Sequence, residues 1–170
     1  EQIRAMLESA TQQLGSIDIL VNNAGIQHVA PVDEFPVDKW DAIIAINLSS
    51  AFHTTKGVLG AMKKQGWGRI INLASAHALV ASPYKSAYVA AKHGVLGLTR
   101  QAALEYAGRG IRVNAVSPGP TATAMAQPLI DEGPAAVAAA LAPLNPQGAF
   151  ITPEQIASAV VYLATDASEM

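Results

Sequence analysis

The sequence contains no cysteine, few aromatic residues and no long apolar run. Aromatic side chains make up 5% of the 170 residues, and Cys is absent. The lack of cysteine excludes disulfides, thiolate nucleophiles and thiolate-bound zinc. The four histidines, His28, His53, His77 and His93, form no HxxxH pair, so we predict no metal site. No apolar run reaches the roughly 18 residues that a membrane-spanning helix needs.

Charge and length restrict the class of protein further. The net charge is −2, charged residues make up 14% of the chain, and hydrophobic residues make up 51%. This balance gives no reason to expect nucleic acid or an anionic membrane as a partner. The length suits a single domain over residues 1–170. The chain starts inside an amphipathic helix, without a signal peptide or an initiator Met, so we expect an internal part of a longer cytoplasmic protein.

Apolar stretches alternate with helical patterns along the chain. Each strand is nearly all apolar, which predicts an α/β fold with a doubly wound parallel sheet covered on both faces. Ligands bind such sheets beyond the carboxyl ends of the strands. The Ala- and Pro-rich residues 120–150 are expected to form a lid of short helices. The predicted strands are IDILVNNAG, GRIINLAS and IRVNAVSPG, and the predicted helices cover residues 1–14, 38–65, 86–107 and 152–166.

Tyr88 and Lys92 are four residues apart near the start of a predicted helix. Their side chains therefore share one face of that helix. A nearby ammonium and the helix N-terminus both favour the phenolate, so we expect the pKa of Tyr88 to be lowered. Ser75, at the end of the preceding strand, can donate to the same substrate oxygen. Taken alone, a Tyr/Lys pair at this spacing is more often a solvated surface pair.

Five motifs in fixed order accompany this pair. They are Asn22-Asn23-Ala24-Gly25, Asn47, Ser75, Tyr88-x-x-x-Lys92, and the NAVSPGPTAT stretch from Asn114 to Thr123. With these motifs the chain resembles the classical short-chain dehydrogenases/reductases over its whole length. The resemblance implies a Rossmann-type fold and a nicotinamide-dependent oxidoreductase.

The resemblance also implies a role for each matching residue. Tyr88 would exchange a proton with the substrate, and Lys92 would lower the Tyr88 pKa and bind the nicotinamide ribose. Ser75 would position the substrate oxygen, and Asn47 would hold a water that links Lys92 to solvent. The residues expected to line the cofactor are Asn23, Ala24, Gly25, Pro118, Gly119 and Thr123. Without the resemblance, a polar residue inside a helix and ordinary turn formers explain Asn47, Asn23 and Pro118-Gly119.

Three more polar residues flank the predicted site. Lys85 lies three residues before Tyr88, and Gln27 and His77 follow the ends of two strands. A lysine with two neutral donors suits a small carboxylate. Residues 22–55 and 75–95 resemble bacterial D-3-hydroxybutyrate dehydrogenases, which implies that these three residues bind the carboxylate of 3-hydroxybutyrate or acetoacetate. Without that resemblance, solvated loop residues explain them.

The lid departs from that group of enzymes. Pro120 stands where the group typically has tryptophan, and Gln127 is the candidate for the lid glutamine that contacts the substrate. This difference keeps open a reductase of another substrate, such as a 3-oxoacyl thioester, a sugar or a steroid. An inactive fragment or a partner-binding remnant is a further alternative.

The Gly-rich phosphate loop of dinucleotide-binding folds does not occur in the sequence. We therefore expect about 60 further residues, two βαβ units, ahead of Glu1, and a last strand after Met170. The fold would then be incomplete, and these residues alone should bind the cofactor weakly. NAD is expected from the resemblance, with NADP as the alternative. Helices 38–65 and 86–107 resemble those that form the interface of homotetramers in the family.

Overall fold

The computed structural model describes residues 1–143, 145 and 147–168 of the chain. Leu144 and Pro146 of the predicted lid and the last two residues lie outside this description. The described elements follow the predicted alternation of helices and strands. Their bounds are α1 (Gln2–Leu14), β1 (Ile19–Asn22), α2 (Val37–Ile44), α3 (Ser50–Gln65), β2 (Gly68–Leu73), α4 (Ser86–Tyr106), β3 (Ile111–Val116), α5 (Gln127–Asp131), α6 (Pro134–Leu141) and α7 (Pro153–Ala164).

The three described strands form one parallel sheet in the order β1-β2-β3. Val21 pairs with Ile71, and Ile71 pairs with Asn114. Because all strands run in the same direction, their carboxyl ends meet at one edge. The predicted parallel α/β sheet is confirmed, and this edge holds the predicted site residues.

Helices lie on both faces of the sheet. On one face, Val58 and Met62 of α3 pack with Ile70 and Val113 of the strands in a buried core. On the other face, the buried Arg69 of β2 donates to Asp166, just beyond α7, across 3.3 Å. Side chains alternate along a strand, so Ile70 and Arg69 serve opposite faces.

The expectation that every strand is covered on both faces is wrong for β1. Ile19 and Val21 share the face of Arg69, and they are 45% and 41% exposed. α7 contacts β2 and β3. β1 therefore has an apolar surface that the described residues leave open.

The predicted helix over residues 38–65 is interrupted once. A π-helical turn, Ala45–Ser49, separates α2 from α3. The helix ends at Gly66, whose φ of 71° is left-handed. Gly110 has the same φ, and a Cβ there would lie 2.0 Å from the Gly66 carbonyl oxygen, so glycine is required for this close approach.

The ends of the chain match the prediction in part. Thr152 and Gln155 form the predicted capping box of α7, with both reciprocal hydrogen bonds present. In α1, Leu7 packs against the core, whereas Met6 and Leu14 are exposed. None of the described helices is long and apolar enough to cross a membrane.

Candidate active site

A chain of hydrogen bonds joins the carboxyl ends of β1 and β2 to the helices behind them. Thr54 of α3 donates to the Asn22 side chain across 2.7 Å, and Asn22 donates to Asn72 across 2.8 Å. Asn72 in turn donates to Thr99 of α4 across 2.8 Å. Buried amides need such partners, and here they fix the strand ends relative to α3 and α4. The sequence motifs did not single out Asn72, Thr54 or Thr99, although an Asn inside an apolar strand was a usable signal.

Ser75 follows β2 and is buried, with 8% of its surface exposed. It caps a short 3₁₀ turn, Ala76–Ala78, by accepting a hydrogen bond from the backbone N–H of His77 across 3.2 Å. Its hydroxyl also lowers the pKa of Tyr88. The predicted Ser–Tyr pair is therefore brought together between the loop and α4.

Tyr88 and Lys92 lie on the buried face of α4, as their spacing predicts. Lys92 Nζ donates to the carbonyl oxygen of Leu73 across 2.6 Å and lies 5.6 Å from the centre of the Tyr88 ring. Burial lowers the pKa of Lys92 from 10.5 to about 8. The ammonium form still predominates at neutral pH, and β2 holds it beside the phenol.

The expected lowering of the Tyr88 pKa is wrong for this structure. Burial of the phenol raises the pKa of Tyr88, and the hydrogen bond from Ser75 lowers it by less. Desolvation penalises the charged phenolate more than the hydrogen bond stabilises it. Sequence spacing indicated the neighbouring charge but not the depth at which the phenol lies.

Asn47 lies in the π-helical turn and is buried, with 3% exposed. Its side chain accepts from the Ile26 backbone N–H and donates to the Ile26 carbonyl, both across 2.9 Å. Asn47 thus bonds the loop after β1 rather than its own helix. This pair of bonds fixes the backbone next to Gly25 and Gln27, and the water predicted at Asn47 stays a prediction.

His77 and Lys85 are brought together beside Ser75 and Tyr88. The His77 ring packs edge-on against the Tyr88 ring, with centroids 5.9 Å apart. Burial lowers the pKa of His77, and the positive charge of Lys85 lowers it further. His77 is therefore neutral at pH 7, and a cation lies near the reacting groups.

Gln27 lies in the loop that follows β1. Its side chain is half-buried, and the neighbouring residue Ile26 is the one held by Asn47. Further along, the Ala30 N–H donates to the carbonyl of Tyr84 across 3.0 Å. Tyr84 has a φ of 65°, a left-handed conformation that is uncommon for tyrosine. This bond, which the sequence did not indicate, joins the loop with Gln27 to the loop that precedes Lys85.

The residues predicted to line a nicotinamide cofactor lie beyond the ends of β1 and β3. Asn23, Ala24, Gly25 and Thr123 are exposed, and Pro118 and Gly119 are half-buried. The Pro118 carbonyl accepts from the Ala76 N–H across 2.8 Å, which ties this loop to Ser75. Small exposed residues in these loops, with Lys92 bound at the end of β2, suit the close approach of a flat ring and its ribose.

The two ends of the lid, residues 120–150, are joined to each other. Thr121 and Ile151 form an isolated parallel bridge, and the Ile151 N–H donates to the Pro120 carbonyl across 2.9 Å. Gln127, the candidate for the substrate-contacting glutamine, donates instead to Asp131 of its own helix across 2.7 Å and is exposed. The predicted short helices are present, but this glutamine is bound within α5.

The chain is similar to proteins of known family and fold. The profile of the family described as Enoyl-(Acyl carrier protein) reductase matches residues 1–170. The chain is 49% identical over 173 residues to a D-beta-hydroxybutyrate dehydrogenase of Rhizobium meliloti, covering 97% of this chain and 67% of that protein. It is 48% identical over 175 residues to the D-beta-hydroxybutyrate dehydrogenase of Cupriavidus necator, covering 98% and 68%.

A solved structure shares the fold. The gluconate 5-dehydrogenase of Burkholderia cenocepacia in complex with NADP and tartrate superposes with a TM-score of 0.91 at 36% identity, covering 98% of this chain and 65% of that one. The chain therefore spans about two thirds of the length of the proteins it matches.

Proposed function

Because the chain belongs to the short-chain dehydrogenase/reductase family, we propose that it is the catalytic part of a nicotinamide-dependent dehydrogenase of 3-hydroxybutyrate and acetoacetate. The assignment of the substrate rests on the position of Lys85. Its charge reaches His77, which contacts both Ser75 and Tyr88. A cation at this place suits an anionic substrate whose hydroxyl or carbonyl meets Tyr88.

The proton step belongs to Tyr88 and Ser75. A bound nicotinamide cofactor supplies the hydride chemistry. During oxidation the Tyr88 oxygen accepts the proton of the substrate hydroxyl, and during reduction it returns a proton to the carbonyl oxygen. Ser75 donates a hydrogen bond to the same oxygen. Lys92 is held by the Leu73 carbonyl and keeps a positive charge beside Tyr88 while the phenol is deprotonated. Lys92 would also bind the ribose of the cofactor.

The carboxylate would be bound on the Lys85 side of this pair. Lys85 supplies the charge, and Gln27 and His77 supply directed hydrogen bonds. The bond between Ala30 and Tyr84 supports this arrangement, because it holds the loops of Gln27 and Lys85 against each other. Charge-assisted hydrogen bonds are roughly twice as strong as neutral ones, so Lys85 should contribute most to binding.

The cofactor and the assembly are part of the same proposal. We propose NAD as the cofactor, held by Asn23, Ala24, Gly25, Pro118, Gly119 and Thr123 together with Lys92. We also propose a homotetramer built on α3 and α4. The exposed Phe52 of α3 and Leu104 of α4 are apolar side chains that such an interface would cover.

The test measures NADH formation by the complete gene product with D-3-hydroxybutyrate or with a 3-hydroxyacyl thioester. We expect oxidation of the free acid, and Lys85→Ala should raise its KM roughly 10- to 100-fold, the range for loss of a charged hydrogen bond. Lys64→Ala, at an exposed position of α3, removes the same charge away from the site and should leave KM unchanged.

A reductase of 3-oxoacyl thioesters is the second candidate. The description of the matching family profile and the Pro120 in the lid favour it. Preference for the thioester together with an unchanged KM in Lys85→Ala would replace the proposed substrate by this one. No turnover of either substrate with NAD or NADP would contradict both and leave an inactive fragment or a partner-binding remnant.

A further inference from the structure

We propose that Ser82 is a positioning residue that sets the tautomer of His77 and thereby turns the Ser75 hydroxyl toward the reacting oxygen. This inference rests on the proposed function, because it assigns a direction to the hydrogen bond that Ser75 donates there. It concerns four side chains: Ser82, His77, Ser75 and Tyr88.

The His77 ring bridges the two serines. Nδ1 lies 3.3 Å from the Ser75 hydroxyl, and Nε2 lies 2.7 Å from the Ser82 hydroxyl. Both ring nitrogens are thus occupied by hydroxyl groups. A neutral imidazole carries one hydrogen, so one nitrogen donates and the other accepts.

The hydrogen bonds of the Ser75 hydroxyl indicate which of the two tautomers the proposed reaction needs. A serine hydroxyl has one hydrogen to donate and two lone pairs. One lone pair already accepts the His77 backbone N–H, and the hydrogen is needed for the oxygen of Tyr88 or of the substrate. The contact with Nδ1 must then use the second lone pair, which requires a hydrogen on Nδ1.

The other end of the ring follows from this requirement. With its hydrogen on Nδ1, the His77 ring must accept at Nε2, so Ser82 has to donate there. All the hydrogen bonds then point one way, from Ser82 to His77, from His77 to Ser75, and from Ser75 to the reacting oxygen. The opposite tautomer would draw the Ser75 hydrogen to Nδ1 and away from the substrate.

The surroundings of the ring agree with a singly protonated His77. Burial and the charge of Lys85 both lower the pKa of His77, so the tautomer question arises at neutral pH. A substrate carboxylate at Nε2 would require a second hydrogen on the ring. Nδ1 would keep its hydrogen in that case, and the orientation of Ser75 would be preserved.

The tautomer can be read directly from ¹⁵N chemical shifts of the His77 ring, measured on wild type, Ser82→Ala and Ser82→Thr. We expect the hydrogen on Nδ1 in wild type and in Ser82→Thr, which keeps the hydroxyl. In Ser82→Ala we expect the hydrogen on Nε2, the form that solvated imidazole prefers. A hydrogen on Nε2 in wild type, or an unchanged tautomer in Ser82→Ala, would overturn the proposal.

Kinetics of the same variants with the cofactor separate positioning from binding. Ser82→Ala should lower kcat roughly 3- to 10-fold, the equivalent of one neutral hydrogen bond, with KM within about twofold. Ser82→Thr should restore kcat, and Ser158→Ala, at an exposed position of α7, should leave it unchanged. An unaltered kcat in Ser82→Ala would also overturn the proposal. Wild type that shows the expected tautomer but oxidises no hydroxy acid would contradict the proposed function alone.

Discussion

The catalytic segment, residues 72–92, and the lid segment, residues 120–150, are built in opposite ways. The catalytic segment buries polar side chains, among them Asn72, Ser75 and Lys92, each with a hydrogen-bond partner. In the described part of the lid segment, Leu141 is the buried side chain. The lid is joined to the sheet region at its base by the bridge between Thr121 and Ile151.

This difference separates the residues proposed to transfer the proton from the lid segment, which is proposed to select the substrate. The groups proposed to transfer the proton are held by β2, α4 and the loop between them, so their geometry does not depend on the lid. The lid has few buried contacts, and regions with few buried contacts open most easily. Substitutions in the lid are therefore expected to leave Ser75, Tyr88 and Lys92 undisturbed.

The largest expected effect is that of Tyr88→Phe in the catalytic segment. The variant keeps the ring and its packing against His77 but removes the group that transfers the proton, so kcat should fall roughly 10²- to 10⁴-fold. Tyr84→Phe, at an exposed tyrosine before α4, is the matched control and should keep its activity. Steady-state kinetics with the cofactor measures both. Retention of more than a tenth of kcat in Tyr88→Phe would contradict the assigned role.

The second effect is on stability and depends on pH. Between pH 8 and 10.5 the unfolded chain still protonates Lys92 while the folded chain does not, so wild type should gain stability as pH rises through this window. The lowering of the Lys92 pKa from 10.5 to about 8 corresponds to on the order of 3 kcal/mol. Relative to Lys92→Met, the free energy of unfolding of wild type should rise by up to about this amount between pH 7 and pH 10.5.

Urea unfolding of both proteins across this range measures that difference. Lys64→Met, at an exposed lysine of α3, removes a lysine away from the site and is the control. If the free energies of unfolding of wild type and Lys92→Met differ by the same amount at every pH, the Lys92 ammonium is not desolvated.

The smallest effect is expected in the lid segment. Gln127→Ala removes one exposed hydrogen bond to Asp131 and should change the free energy of unfolding by about 0.5 kcal/mol or less. Because its side chain is bound within α5, KM for the hydroxy acid should change less than about threefold. Thermal unfolding and substrate titration measure the two quantities. A tenfold rise in KM would show that Gln127 leaves Asp131 to contact the substrate. The lid would then contribute a residue to the substrate site.

Most of the fold, and the meeting of the proposed catalytic residues at one edge of the sheet, followed from the sequence. The alternation of apolar strands with helices predicted the parallel sheet, and the order of the motifs predicted that Ser75, Tyr88 and Lys92 meet at its carboxyl edge. The π-helical turn at Asn47 did not follow, because a bond to the distant Ile26 backbone leaves no local pattern. The raised pKa of Tyr88 did not follow either, since it depends on burial by residues far along the chain.

The sequence by itself determined which groups are present and on which elements they lie, because strand alternation, helix spacing and capping depend on neighbouring residues. It placed Tyr88 and Lys92 on one helix face and Thr152 at the start of α7. Only the tertiary structure decided the partners of these groups. His77 bridges Ser75 and Ser82, and Asn47 bonds the backbone of Ile26. Both arrangements depend on distances across loops, which packing sets and residue order does not encode.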